Sequence, residues 1–219
     1  MNSYCKIEKL KNEIKLIVNV SNETLDEKIT ENTIKQISKI SKKYSSKIKV
    51  EVETNLELNN LYENDNLRFS IVSALNIVKI KDKNERLVKI YECACKFLDN
   101  EFRNKNLCEF ENDICLEKRC TNVTNGCCHT YKNKILGPFL EVQPKTLCKY
   151  QNNKQCKADC LGCKLFVCNS IKNKKGIYYT TNNVPLIKYY FNIIQKIIIK
   201  SKVFTHKDDI LKLLKIFSF

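Results

Sequence analysis

Glycine, proline and arginine are scarce in this chain of 219 residues, which contains four glycines and three prolines. Nearly all of its positive charge is lysine, although the formal net charge is +15. Arginine is the side chain whose planar fork binds phosphate and guanine through two hydrogen bonds. A dedicated nucleic-acid surface would use more of it. We therefore expect only weak, sequence-independent binding to nucleic acid and keep a lysine-rich nucleic-acid-binding protein with a structural metal site as the alternative function.

The chain also lacks the usual signatures of enzymes and membrane proteins. No glycine-rich loop follows a clear strand, and no His, Asp and Glu residues recur at catalytic spacing, which argues against an enzyme without excluding one. The most apolar stretch, residues 186–200, is interrupted by Lys188 and Lys196 and is too short to span a bilayer. We predict no transmembrane segment.

The N-terminus shows no secretory signal, because it is charged from Lys6 onward and lacks an apolar core followed by a small-residue cleavage site. We therefore expect a cytoplasmic protein. Disulfides would not persist in that reducing compartment, so clustered thiols are expected to bind metal as thiolates. A secreted, disulfide-rich domain is the alternative.

Residues 1–105 are predicted to form an N-terminal helical region. The apolar residues of its first predicted helix recur at steps of three and four: Ile7, Leu10, Ile14 and Ile17. Thr24 and Glu27 have the spacing of a capping box that would start a second helix. Residues 47–53 alternate strictly between apolar and charged side chains, and the sequence leaves open whether they form a strand or extend that helix.

Two more helices are predicted before the cysteine-rich segment. Residues 67–80 form an apolar helix candidate, and Asp82 with Glu85 caps the next helix. One face of that helix carries Leu87, Ile90, Tyr91, Ala94, Leu98 and Phe102. Cys93 and Cys95 lie on or beside this face, where a thiol behaves as a small hydrophobic side chain. We predict that both are core residues.

Residues 181–219 are predicted to be C-terminal helices that pack on the N-terminal region. An apolar stripe at helical spacing, interpreted as a core face, comprises Leu186, Tyr190, Ile193, Ile194, Ile197 and Ile198. Thr205, with Asp208 three residues later, is the predicted start of a last helix.

Ten of the thirteen cysteines fall between Cys108 and Cys168. Cys156-x3-Cys160-x2-Cys163 has the spacing of a radical SAM cluster motif, but the helical remainder of the chain does not suit that fold. Cys160 and Cys163 also form a single C-x2-C knuckle of the kind that binds zinc. Gly162 lies between them, and we expect its conformational freedom to allow a tight turn there.

The order of these cysteines over roughly residues 108–168 resembles the YkgJ-type cysteine-cluster proteins, a family described as zinc- or iron-chelating. The similarity comprises the double cysteine, the later cysteines beside aromatic residues and the Cys-Lys-Leu-Phe sequence that begins at Cys163. Flagellin lysine-N-methylases carry a similar segment, which makes a methyltransferase-like enzyme the third candidate function. The chain more closely resembles a group of clostridial cysteine-cluster proteins with helical flanks.

The resemblance implies that one or both of Cys127 and Cys128 bind metal together with Cys148, Cys156 and Cys163. Cys160 and Cys168 are additional cysteines that we include in the candidate metal site. The roles of Cys108, Cys115, Cys120 and His129 stay open. An all-cysteine set suits Zn²⁺ in a closed tetrahedron or an iron–sulfur cluster held by four thiolates.

The sequence therefore predicts a mainly α protein: a helical bundle with an irregular, cysteine-rich metal-binding module, residues 106–180, inserted between N- and C-terminal helices. The predicted function is that of a cytosolic metal-binding protein. Ligand bonds would supply on the order of 10 kcal/mol of folding free energy to a module too poor in apolar residues to order itself.

Overall fold

Helices predominate in the structure, a computed structural model that describes residues 4–9, 11–21, 25–107, 158–167, 169–203 and 205–217. Between residues 110 and 156 it describes only the backbone of short strands. The mainly α class predicted from sequence is therefore confirmed in its coarse form. The predicted division at residues 105 and 180 stays a prediction.

The first described half of the chain contains three strands and three long helices. In chain order they are β1 (Tyr4–Lys9), β2 (Glu13–Asn19), α1 (Glu27–Tyr44), β3 (Lys49–Thr54), α2 (Asn66–Lys79) and α3 (Lys83–Asn104). The short strands that follow are β4 (Phe110–Glu111), β5 (Ile114–Cys115), β6 (His129–Thr130), β7 (Asn133–Leu136), β8 (Phe139–Val142), β9 (Thr146–Leu147), β10 (Gln151–Asn152) and β11 (Gln155–Cys156). The later helices are α4 (Leu161–Leu165), α5 (Asn169–Lys175), α6 (Pro185–Tyr190), α7 (Ile193–Ser201) and α8 (Lys207–Ile216).

The three N-terminal strands form one sheet in the order β1-β2-β3. β1 pairs antiparallel with β2, whereas β2 pairs parallel with β3, with Ile14 opposite Val50. Parallel neighbours need a crossover connection, and α1 provides it. The segment whose structure the sequence left open is therefore a strand, β3.

The predicted N-terminal helix is wrong, because the chain forms β1 and β2 instead. Side chains along β2 alternate between buried and partly exposed, and Ile14, Leu16 and Val18 are the buried ones. That alternation has the period of a strand, and β-branched residues pack well on a pleated surface. The spacing of Ile7, Ile14 and Ile17 fitted a helix by coincidence, and Leu10 lies outside the described residues.

Helix α1 begins later than the Thr24 capping box predicts. Its N-cap residue is Asp26, whose carboxylate accepts a hydrogen bond from the Ile29 N–H at 2.7 Å. An Asp satisfies an orphan N–H of the first turn as well as a Thr does. Thr24 itself lies outside the described residues.

Helices α2 and α3 agree with the sequence prediction. The carboxylate of Asp82 accepts from the Glu85 N–H at 2.7 Å and so caps α3. Tyr91 and Leu98 are fully buried, and Cys93 and Cys95 are buried in the same core. Helix α6 contacts α1 and α3, and α8 contacts α3. The last helices therefore pack against the N-terminal ones.

The predicted C-terminal core stripe is wrong at Ile193, Ile194 and Ile197, which are exposed, whereas Ile198 packs partly buried against the core. The helix breaks at Phe191, whose backbone is extended, and Asn192 starts α7 through a capping box with Gln195. This break rotates the buried face, so that Gln195 and Ile199 point inward while Ile193 and Ile197 are 75% and 60% exposed. No helix in the described part of the chain is both long and apolar enough to cross a membrane.

Helix α8 begins one residue later than Thr205 predicts. His206 is its N-cap residue, and Nδ1 accepts from the Asp208 N–H at 3.4 Å. Ile210, Leu211 and Leu214 form its buried face.

The rotated face of α7 predicts opposite effects for two isoleucines on one helix. Ile199→Ala should lower the free energy of unfolding by about 2–5 kcal/mol, because it leaves a cavity in the core. Ile197→Ala should change it by less than about 0.5 kcal/mol, because that side chain is exposed. Chemical denaturation followed by circular dichroism measures both values. Equal losses would show that α7 does not bury the face described here.

Candidate functional site

Two of the candidate metal ligands lie in residues 158–165, which we call the thiol segment. Cys160 is the N-cap residue of α4 and Cys163 lies within that helix. The segment contacts α3 and α7 and belongs to the main hydrophobic core, where Leu161 is fully buried. The helical core therefore fixes the position of both cysteines.

A buried hydroxyl attaches the thiol segment to α3. Tyr91 Oη donates a hydrogen bond to the Asp159 carbonyl at 2.9 Å and accepts one from the Leu161 N–H at 2.9 Å. Burial raises the pKa of Tyr91, so the hydroxyl keeps the proton that it donates. One side chain thus satisfies two backbone groups on either side of Cys160.

The Asp159 carbonyl accepts a second hydrogen bond, from Cys95 Sγ at 3.4 Å. Asp159 has a φ of 45°, in the left-handed region that is uncommon for residues other than glycine, asparagine and aspartate. Two donors from α3 on one carbonyl hold the backbone in this conformation. This conformation is adopted immediately before Cys160.

Gly162 is required for close packing and not for a turn. A Cβ at this position would lie 2.4 Å from the Ile199 carbonyl oxygen and 2.8 Å from that of Lys202. Both distances are far below van der Waals contact with backbone that cannot easily move. The tight turn expected at Gly162 is therefore wrong, because Gly162 lies within α4, and among the described glycines only Gly176 has a positive φ. Gly162 lets α4 approach the end of α7.

An ion pair attaches the other end of α4 to α3. Lys164 Nζ contacts the carboxylate of Asp99 and lies 3.5 Å from that of Asp159. The Lys164 side chain is only 9% exposed. A charge buried to this degree is stable only with such partners. Both ends of α4 are therefore fixed to one helix.

The sulfur of Cys160 is almost completely enclosed, with 1% of the residue exposed. As a thiol it donates to the Lys202 carbonyl at 3.2 Å. The Cys163 side chain hydrogen-bonds to it, as do backbone N–H groups of Thr205, Cys163 and Gly162. The Cys160 sulfur therefore has a neighbouring thiol and several backbone groups as hydrogen-bond donors.

These donors favour the thiolate form of Cys160. The hydrogen bond from Cys163, supported by the backbone N–H groups, lowers the pKa of Cys160 to about 6 against the opposing effect of burial. Hydrogen bonds to the charged form of a group have this effect, whereas burial alone acts in the opposite direction. Cys160 is therefore poised to act as a thiolate at neutral pH.

The other described thiols differ from Cys160. Burial raises the pKa of Cys5 to about 11, and it also raises the pKa values of Cys93 and Cys95, the latter well above the usual value of a thiol. Such thiols stay protonated and are poor metal ligands, because the thiolate is the form that binds. The sequence prediction that Cys93 and Cys95 serve as core residues agrees with their burial.

The candidate ligands are only partly covered by the described residues. Cys127, Cys128, Cys148 and Cys168 lie outside them, as do Cys108 and Cys120. Cys156 ends β11, Cys115 ends β5 and His129 begins β6, where only the backbone is described. Among the described side chains no group of three or more His, Cys, Asp or Glu could hold a metal ion. The described side chains therefore supply at most two ligands, Cys160 and Cys163, to any metal site.

Comparison with known proteins identifies no relative: no family model, no curated protein and no solved structure matches the chain. The resemblance in cysteine order to the YkgJ-type proteins therefore stays a prediction. Function has to be inferred from the described side chains and from the sequence.

Sequence reasoning located the two cysteines but missed the residues that hold them. The sequence pattern places Tyr91 only on a buried helix face, and it indicates no role for Lys164 or Asp99. A tyrosine on a fully buried face was the available signal, because a buried hydroxyl needs a hydrogen-bond partner. Nothing in the sequence indicated which backbone groups that partner would be.

Loss of the Tyr91 hydroxyl should loosen the thiol segment. Tyr91→Phe leaves the Leu161 N–H without its acceptor and the Asp159 carbonyl with one of its two donors. This loss should lower the free energy of unfolding by about 1–3 kcal/mol. The amide of Leu161 should also lose protection from hydrogen exchange. Tyr190→Phe is the matched control, since that buried hydroxyl makes a single contact of 3.5 Å with the Ala74 carbonyl. A protected Leu161 amide in Tyr91→Phe would contradict the described anchor.

The pKa of Cys160 predicts a pH-dependent stability. Between pH 6 and 9 the folded protein carries a thiolate at Cys160 and the unfolded chain a thiol, so the unfolded state binds the extra proton. The stability contributed by Cys160 should therefore rise with pH by up to about 1.4 kcal/mol per unit over this range and be lost as the pH falls through 6. The measurement is the difference in unfolding free energy between wild type and Cys160→Ser, in chelator and reductant.

Cys93→Ser is the control for this titration, because the pKa of Cys93 is raised and both folded and unfolded states carry a thiol there below pH 9. The difference in unfolding free energy between Cys93→Ser and wild type should therefore not change with pH over the same range. A flat profile for Cys160→Ser as well would contradict a thiolate at Cys160.

Proposed function

We propose that this chain is a metal-binding protein in which Cys160 and Cys163 supply two ligands of a zinc or iron–sulfur site. Other cysteines of residues 106–180 complete the site, with Cys127, Cys128, Cys148, Cys156 and Cys168 as the candidates. The resemblance to the YkgJ-type cysteine-cluster proteins supports this proposal through the order of those cysteines.

The observation that carries the proposal is the contact between the Cys160 and Cys163 side chains at the start of an anchored helix. A C-x2-C pair in which both sulfurs lie on the same side can bind one metal ion. A closed tetrahedral zinc site or a cubane cluster needs four such ligands. Half of that number is thus preorganised by α3, α7 and α4.

The chemistry of the donors fits a soft metal. Neutral backbone N–H groups around Cys160 offset the negative charge of a bound thiolate, as they do around metal-bound sulfur in general. The nearby carboxylates of Asp99 and Asp159 are engaged by Lys164 and would not compete as hard ligands. His206 caps α8, which gives its ring a structural role. Sulfur therefore dominates the donor set.

Metal binding at this position would join the cysteine-rich module to the helical core. The module begins after α3, which carries Tyr91, and returns to the core at the thiol segment, so ligands from its interior would be held against fixed sulfurs. Ligand bonds worth on the order of 10 kcal/mol could then order residues that have little apolar surface to bury. A cytoplasmic location suits such thiols.

The same geometry supports a second candidate, a dithiol that forms a reversible disulfide. Cys163, the less buried of the two cysteines, would attack a disulfide such as oxidised glutathione and release one glutathione thiolate. The Cys160 thiolate would then attack the Cys163 sulfur of this mixed disulfide and release the second glutathione thiolate, so that the Cys160–Cys163 bond forms at the expense of the glutathione disulfide. The lowered pKa of Cys160 favours this second step.

Metal analysis of protein purified without oxygen separates the two candidates. Wild type should contain one or two equivalents of zinc, or iron with sulfide and a broad visible absorption. Cys160→Ser, Cys163→Ser, Cys148→Ser and Cys156→Ser should each lose metal, because a hydroxyl ligates soft metals poorly. Cys93→Ser should retain it. Circular dichroism of each variant distinguishes loss of metal from loss of the helical core.

Metal-free wild-type protein with intact tertiary structure, or equal loss from all five variants, would contradict the metal proposal. Metal-free protein that gains a Cys160–Cys163 disulfide in a glutathione buffer, detected by mass spectrometry, would favour the redox candidate instead.

A further inference from the structure

A cleft that shares no lining residue with the thiol segment opens between α1, the start of α3 and the junction of α6 with α7. Its volume is about 290 Å³. The residues that line it are Ser41, Lys42, Lys83, Arg86, Leu87, Ile90, Tyr190, Asn192 and Gln195. Three of them are cationic and none is acidic. The cleft therefore concentrates positive charge, and its volume suits a small ligand.

The cations of the cleft have neutral partners. Lys42 Nζ donates to the Tyr189 carbonyl at 2.6 Å, and Arg86 donates to the Ile80 carbonyl at 2.7 Å and to Ser46 Oγ at 3.0 Å. Within the described part of the chain, none of the ion pairs involves Lys42, Lys83 or Arg86. Their charges are therefore not balanced by carboxylates in contact.

Arg86 is the buried cation of the cleft, whereas Lys42 and Lys83 are exposed. Burial lowers the pKa of Arg86, although nearby Tyr190 and Asp82 act against this effect. Burial also lowers the pKa of Lys42, and the nearby charge of Lys196 lowers it further. An anion bound between these side chains would stabilise their charged forms.

A buried hydroxyl in the cleft also lacks a partner. Ser41 lines the cleft and is 1% exposed, and among the described residues its Oγ has no hydrogen-bond partner. An unsatisfied buried hydroxyl is costly, and native proteins rarely contain one without a function. Because the Oγ is enclosed, a ligand oxygen in the cleft would satisfy it once the Ser41 side chain turns toward the cleft.

Three residues give the cleft an apolar part, beside the amides of Asn192 and Gln195. Leu87 and Ile90 lie on the buried face of α3, and Tyr190 closes α6 with its ring buried. These surfaces cannot bind an anionic oxygen, but they suit a hydrocarbon or aromatic group attached to it. The ligand class therefore has one charged end and one apolar end.

We infer that this cleft binds a small phosphate monoester, with its phosphate between Lys42, Lys83 and Arg86 and its organic group against Leu87, Ile90 and Tyr190. A phosphate carries close to two negative charges at neutral pH and has oxygens enough for Ser41 as well. A carboxylate would leave more of the positive charge unbalanced. The site is separate from the cysteine cluster and does not depend on bound metal.

Isothermal titration calorimetry with inorganic phosphate and phenyl phosphate tests the inference on the full-length chain as purified. Phenyl phosphate should bind at least roughly tenfold more tightly than inorganic phosphate, because its ring buries apolar area. Both affinities should fall as sodium chloride is raised. Equal affinity for the two probes would overturn the assignment of the apolar wall.

Matched lysine variants locate the site. Lys83→Gln and Lys42→Gln should each weaken phenyl phosphate binding by about threefold or more, since each removes a charge beside the phosphate. Lys89→Gln on α3 and Lys43→Gln on α1 remove the same charge from exposed positions outside the cleft and should leave the affinity unchanged. Equal effects in both pairs would show that any binding reflects only the net charge of the protein.

Ser41→Ala gives a result that a merely structural serine would not. Removal of the unpartnered hydroxyl should raise the melting temperature of the ligand-free protein while weakening phenyl phosphate binding by about threefold or more. A lower melting temperature with unchanged affinity would overturn the role of Ser41 in binding.

Vesicles distinguish a soluble phosphate from a lipid headgroup. Phosphatidylcholine vesicles with and without phosphatidic acid serve as the third probe. Binding to phosphatidic acid that is lost in Lys83→Gln and kept in Lys89→Gln would support the site and identify a lipid as its phosphate source. Failure to bind any of the three probes would overturn the inference, whatever the metal content of the protein.

Discussion

Two hydrogen bonds to the buried hydroxyl of Tyr91 connect the helical core to the cysteine-bearing part of the chain. They fix the backbone immediately before and after Cys160, so the direction of its sulfur follows from the position of α3. The close approach at Gly162 and the ion pair of Lys164 depend on the same placement, because each requires α4 to lie in the groove beside α3 and α7. The chemistry of Cys160 is thus determined by a side chain far away in sequence.

Helix α3 serves two different chemistries along its length. Its first turns contribute Lys83, Arg86 and Leu87 to the basic cleft, and its later turns hold the thiol segment through Tyr91 and Asp99. One end therefore carries positive charge beside the cleft, and the other positions the thiol segment. Buried side chains of α3 such as Ala94 and Leu98 pack in the core and keep both ends on one rigid element.

Sequence reasoning succeeded where the signal was local. The Asp82 cap and the buried face of α3 were predicted, because capping and helical periodicity involve residues within a few positions of one another. It failed at β2, where a short run fitted both periods, and at Ile193, where the break at Phe191 rotated the helix. The cysteine spacing located Cys160 and Cys163, but their anchor could not be predicted. Tyr91 and Asp159 are 68 positions apart, and only the folded chain brings them together.

The contact at Gly162 also provides a criterion for judging distant relatives. Gly162 tolerates no larger residue, because any Cβ there would displace the carbonyl groups of Ile199 and Lys202 and separate two helices. An aligned protein that shares the cysteine order but carries a larger residue at this position must place its C-terminal helices differently. Glycine there, together with a tyrosine at the position of Tyr91, marks a protein that shares this architecture and not only its cysteine spacing.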